Sequence, residues 1–176
     1  MDIPVTANAT LQHHFADLLQ QHQGIVLKVA RAWSQAAEDR RDLVQDISIQ
    51  AWRGFASFDP DKARFGTWLY RVALNVAISQ QRSRQLRQRH HGTLAPDPME
   101  SSLAVEDTAE QAAQRAQLHA VIHALPPLDR ALLLLHLDDC SHQEIGQVLG
   151  ISAGNAATRL HRLRQQLRRH LSPSQD

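Results

Sequence analysis

Apolar residues return every three or four positions along most of this chain, with no sustained alternation of the kind a strand would need. The sets Leu11–Phe15–Leu18–Leu19, Ile25–Val29, Val44–Ile47–Ala51–Phe55 and Phe65–Leu69–Val72–Val76 each mark one face of a helix. The pattern breaks at "SFDPDKARFG", because Pro60 restricts Asp59 and has no donor for a helix interior. A loop of about six to ten residues is expected there. It breaks again over "GTLAPDPMESSLAVEDTAE", where Pro, Gly, Ser and acids have the composition of a mobile linker. Helical spacing resumes at Leu118–Val121–Ile122–Leu125, stops at Pro126–Pro127, and runs again from Leu128 to Leu137. The expected fold is all-α, with a first helical domain over 1–91, a flexible linker over 92–117 and a second helical domain over 118–176.

The second domain carries the most specific local pattern, "CSHQEIGQVLGISAGNAATRLHRLRQQLRRHL". Ser141 and Glu144 have the spacing of a capping box, and Ile145, Val148 and Leu149 supply one apolar face behind it. Gly150 suits a left-handed helix terminus, and Ser152 can cap the helix that follows. Helix, glycine turn, longer helix is the helix-turn-helix order. At about 100° per residue, Ala156, Leu160, Leu163, Leu167 and Leu171 fall on one stripe of the last helix. Asn155, Thr158, Arg162, Gln165 and Arg169 fall on the opposite side.

Charge sharpens this picture. Lys and Arg number 19 against 18 Asp and Glu, so the chain is nearly neutral, yet Asn155 to Leu171 holds five arginines, two histidines and no acid. A second basic cluster, Arg82, Arg84, Arg87 and Arg89, is separated from the first by Gly92 to Gln117, with five acids and one arginine. Two basic segments around an acidic spacer suggest two contacts on a polyanion. Arginine and asparagine match guanine and adenine edges in the major groove, and further arginines such as Arg159 neutralise phosphates. The competing reading is a solvated face on an amphipathic helix; the capped helix and glycine turn in front of it favour DNA.

In the first domain, Trp68, Arg71, Asn75 and Arg82 share a helical phase beside the packing stripe of Phe65, Val72 and Val76. An aromatic platform next to arginine and amide donors suits unpaired bases, although tryptophan at helical spacing equally suits a core. Trp52 is expected to pack inside, and Asp46, polar within an apolar segment, to project outward.

Taken in order, "RDLVQDISIQAW", "FDPDKARFGTWLYRVALNVA", "ALPPLDRALLLLHL" and "SHQEIGQVLGISAGNAATRLHRLRQQL" resemble the extracytoplasmic-function sigma factors, the compact group of the bacterial sigma-70 family. The resemblance covers nearly the whole chain. It implies that the first domain is region two, which binds core RNA polymerase and opens the minus-ten element, and that the second is region four, which reads the minus-thirty-five element. By the same resemblance, Asp42, Gln45 and Asp46 of "DLVQD" lie on the polymerase-binding helix, "FDPDKARFGTW", with Trp68 at its end, matches the loop and helix start that capture a flipped minus-ten base, Arg71 and Asn75 match the helix beneath it, and Arg159 and Arg162 lie on the recognition helix; Arg82 joins the minus-ten set by its helical phase. Ala157 stands where many relatives carry lysine, and Ser79 where aspartate is common. Core polymerase and promoter DNA, duplex and single-stranded, are the implied partners, with an anti-sigma factor a reasonable expectation. Without the resemblance, the residues also fit a helix-turn-helix regulator that binds an operator without core polymerase, or an interaction adaptor.

Other chemistry finds little footing. No serine elbow, glycine-rich phosphate loop or paired-carboxylate arrangement is present, so an enzyme is not expected. His136, Cys140 and His142 do not form a closed tetrahedral set, and no metal or other cofactor is expected. The single cysteine fits a reducing compartment, and no stretch reaches the roughly 20 apolar residues of a membrane span. A cytoplasmic protein with no membrane insertion is expected.

Overall fold

A computed structural model of the chain describes residues 5–91 and 108–171. These residues form eight helices and no strand, in two compact units, Met1–Ser102 and Leu103–Asp176. The first unit comprises α1 (Val5–Gln21), α2 (Gln23–Trp33), α3 (Ala37–Phe55) and α4 (Phe65–His91). The second comprises α5 (Ala109–Ala124), α6 (Pro127–Leu137), α7 (His142–Leu149) and α8 (Ala153–Leu171).

In the first unit α2, α3 and α4 pack on one another pairwise. α3 opens with Glu38 and Asp39, acids that favour a helix N-terminus, and buries Leu43, Ile47, Ala51 and Phe55 at four-residue spacing. On α4 the buried face is Leu69, Tyr70, Ala73, Leu74 and Ala77. Val72 and Val76, expected in the core, are only half-buried. The reason is that α4 packs against both α2 and α3, and small alanines let helices approach where valines do not. α1 leans on α3 through Phe15, whose ring lies 5.2 Å from Trp52 and 5.0 Å from Phe55. Trp52 is therefore packed on one side only: it remains 36% exposed, contrary to the expectation of an interior tryptophan.

Residues 56–64 form the loop predicted around Pro60. The Asp59 carboxylate accepts from the Asp61 amide at 3.0 Å and pairs with Lys62 at 2.8 Å, and these contacts hold its pKa below the usual carboxylate value. The loop delivers Phe58 into a ring cluster in which it stacks on Phe55 at 6.0 Å and meets Phe65 edge-on at 5.6 Å.

The second unit begins earlier than periodicity suggested. Thr108 and Gln111 form a reciprocal capping box, so helix α5 starts inside the stretch expected as linker; residues 92–107 lie outside the described residues. At its other end α5 is closed by Arg130, a buried residue of α6. Arg130 Nε donates to the Ile122 carbonyl at 3.0 Å, and Nη2 donates to those of His123 and Leu125 at 2.6 and 3.1 Å. Burial lowers the Arg130 pKa from its ordinary value, and the three carbonyls answer the guanidinium's need for partners.

Leu132, Leu135, Ile145 and Leu160 form the core between α6, α7 and α8, each contributing about 1.5–3 kcal/mol through burial. The turn follows the sequence expectations. Ser141 and Glu144 cap α7 reciprocally, Gly150 adopts φ +68°, and Ser152 Oγ accepts from the Asn155 amide at 3.1 Å. Gly146 sits against the turn so closely that a Cβ there would lie 2.6 Å from the Ile151 carbonyl oxygen.

Candidate nucleic-acid interface

The geometry of α8 follows from its two-sided composition. Ala156, Leu160 and Leu163 are buried and Leu167 is half-buried, whereas Asn155, Thr158, Arg162, Gln165 and Arg169 are all exposed, as expected. Thr158 Oγ1 donates back to the Gly154 carbonyl at 3.0 Å, and Gln165 meets His161 at 3.0 Å. Arg159 is half-buried, with its Nη1 3.8 Å from the Asp129 carboxylate on α6. The result is a row of amide and guanidinium donors standing on a packed helix, a surface able to hydrogen-bond base edges and phosphates.

Arg164 lies on the flank of the same helix and contacts His136 of α6, Nη2 to Nε2 at 2.5 Å. The guanidinium can only donate, so the imidazole accepts as the neutral form. Partial burial lowers the His136 pKa from 6.5, with Arg164 and His142 adding to the effect and Asp139 opposing it. Since the unfolded histidine takes up a proton more readily than the folded one, the contribution to stability is complete above 6.5 and declines as pH falls through that value. Urea midpoints of the second unit, followed from neutral pH to about pH 5, should fall in the wild type and fall less in His136→Gln. Equal slopes in the two proteins would remove His136 as the cause. Among the described residues no group of three His, Cys, Asp or Glu is placed to hold a metal ion.

In the first unit α3 and α4 flank a groove of about 810 Å³. Asp42 and Asp46 line one side, and Val72, Asn75, Val76 and Arg84 are among the residues lining the other. Two cross-links tie the walls. Arg84 donates both Nη atoms to Asp39 at 2.9 Å, and Gln80 Nε2 donates to Asp46. Asp46 is exposed, as expected, but engaged by Gln80. Gln45 is exposed and does not line the groove.

The four residues that share a phase on α4 go to different surroundings. Trp68 is half-buried in the ring cluster, 5.2 Å from Phe58 and 5.3 Å from Phe65. Asn75 faces the groove, while Arg71 and Arg82 are exposed. Residues that sequence reasoning missed are Asp39, Gln80 and Asp129, which position the others through contacts distant in the chain.

Models of Sigma-70 region 2 and Sigma-70 region 4 match residues 18–87 and 115–167, on the first and second unit respectively. The chain belongs to the sigma-70 family. It falls in the extracytoplasmic-function group and is an RNA polymerase sigma factor, a transcription initiation factor. It is 32% identical over 168 residues to the RNA polymerase sigma factor NccH of Alcaligenes xylosoxydans xylosoxydans, covering 93% of this chain and 90% of that one. It is 31% identical to the ECF RNA polymerase sigma factor SigE of Mycolicibacterium smegmatis, over 89% of this chain and 61% of the relative. Similarity also extends to the RNA polymerase sigma factor CnrH of Cupriavidus metallidurans, 30% identical over 89% of this chain and 85% of that protein. The structure of CnrH in complex with the cytosolic domain of CnrY aligns with a TM-score of 0.66 at 25% identity, covering 93% of this chain and 90% of CnrH. Sigma factors of this group bind core RNA polymerase and promoter DNA. No described helix is long and apolar enough to cross a membrane.

Proposed function

We propose that this sigma factor divides promoter recognition between its two units. The exposed row on α8, made of Asn155, Thr158, Arg162, Gln165 and Arg169 with Arg159 at its edge, reads the upstream element as duplex. The α4 residues Trp68, Arg71, Asn75 and Arg82 serve the opened minus-ten element, with the half-buried Trp68 a wall for a base to stack against. Asp42, Gln45 and Asp46 dock core polymerase. Residues 1–91 act as region two and 92–117 contain the tether. Region four is assigned to 118–176, with the earlier turns of α5 from Thr108 as its entry. The protein works in the cytoplasm, catalyses no reaction of its own and needs no cofactor. An anti-sigma factor is its proposed inhibitor, a reading supported by the complex in which CnrH was solved.

The observation that carries this reading is the separation of faces on α8: the buried residues hold the helix and leave Asn155, Thr158, Arg162, Gln165 and Arg169 exposed on the opposite side. The test begins by reconstituting the protein with core polymerase and selecting promoters from random-sequence DNA. Arg162→Ala should weaken recognition of the selected upstream element by about 1–3 kcal/mol and leave core binding intact. Its affinity should also vary less steeply with salt if Arg162 meets a phosphate in addition to a base. Equal wild-type activity on selected and scrambled upstream elements would defeat the assignment.

A further inference from the structure

Arg159 differs from the rest of the α8 row in having a partner outside the helix. Its guanidinium is 3.8 Å from the Asp129 carboxylate, with 40% and 29% of the two side chains exposed. Asp129 stands in the first turn of α6, where the helix N-terminus favours its negative charge. The next residue, Arg130, is locked to three carbonyls at the end of α5, and Leu132 and Leu135 anchor α6 in the core. The carboxylate is thus mounted on a helix anchored on both sides, beside a long, part-exposed arginine side chain.

A half-exposed pair at that separation adds little to folding stability, so its consequence lies in where the arginine points. An arginine without a neighbouring anion spreads over many rotamers and finds the nearest phosphate, whichever sequence it belongs to. A fixed carboxylate narrows that spread and repels the phosphate backbone from the same spot.

We propose that Asp129 is a positioning residue for promoter specificity, holding Arg159 against α6 so that its guanidinium meets a base edge in preference to the phosphate backbone. The proposal rests on the assignment of α8 to the upstream element. Its test uses the full chain with core polymerase on two DNA fragments, the selected promoter and the same promoter with its upstream element scrambled. Asp129→Asn should strengthen binding to the scrambled fragment and reduce discrimination between the two by about twofold to fivefold. Asp129→Glu, which returns the charge, should recover most of the ratio. In an Arg159→Ala background Asp129→Asn should change the ratio no further, because the residue it positions is gone. If Arg159→Ala lowers discrimination but Asp129→Asn does not, the proposal is overturned while the assignment of α8 stands. An equal effect of Asp129→Asn with and without Arg159 would also overturn it, as the acid would then act through general charge. If Arg159→Ala itself leaves discrimination unchanged, Arg159 does not read the upstream element and the proposal falls with that part of the assignment.

Discussion

Replacing Phe55 by alanine is expected to destabilise the first unit by about 3–5 kcal/mol, the cost of removing a buried aromatic from a core that cannot collapse around the gap. Phe55 is 5% exposed and its ring lies 5.0 Å from Phe15, 6.0 Å from Phe58 and 6.3 Å from Trp68. One side chain therefore ties together α1, the loop over 56–64 and the start of α4. The chain is well suited to the measurement, since all three of its tryptophans, Trp33, Trp52 and Trp68, belong to the first unit. Tryptophan fluorescence in urea reports that unit alone. A loss of less than about 1 kcal/mol would mean that the remaining rings repack to fill the space.

Arg130→Met should lower the stability of the second unit by about 2–3 kcal/mol. Methionine fills similar space but donates nothing to the carbonyls of Ile122, His123 and Leu125. The last of these contacts is buried, whereas the other two are part-buried and can be partly compensated by water. Hydrogen exchange should quicken along α5, because a helix end without its closing donor frays. Arg130→Lys should fall between, since one ammonium cannot reproduce the spread of a guanidinium. Unchanged exchange in α5 together with an unchanged unfolding midpoint would show that packing alone sets the end of that helix.

The helix-turn-helix was legible because every cue for it is local. Ser141 with Glu144, Gly150, and Ser152 with Asn155 act within a few residues of one another, and the structure makes each contact. Thr108 and Gln111 offered the same cue for α5, but it is embedded in an acidic stretch whose composition suggested only linker. The face of α4 was misread for a different reason. Apolarity ranks Val72 and Val76 above Ala73 and Ala77, yet the buried face runs through Leu69, Tyr70, Ala73, Leu74 and Ala77, and the two valines stand beside it, lining the groove. Trp52 shows the same weakness of ranking by apolarity alone. The ties from Arg84 to Asp39 and from Arg159 to Asp129 join positions far apart in the chain, which no periodicity can pair. They determine how the proposed sites are oriented.

The tight approach of Gly146 to the Ile151 carbonyl separates two classes of position in the second unit. A side chain at 146 would push α7 and α8 apart and move the whole α8 row at once. By contrast, Asn155, Thr158, Arg162 and Gln165 stand clear of the core, so exchanging them rewrites the pattern of donors while the frame keeps its angle. If α8 reads the upstream element as proposed, promoter preference on this scaffold is modular: new vocabularies can be written on the outer face of α8 one residue at a time, as long as α7 keeps Gly146 beneath it.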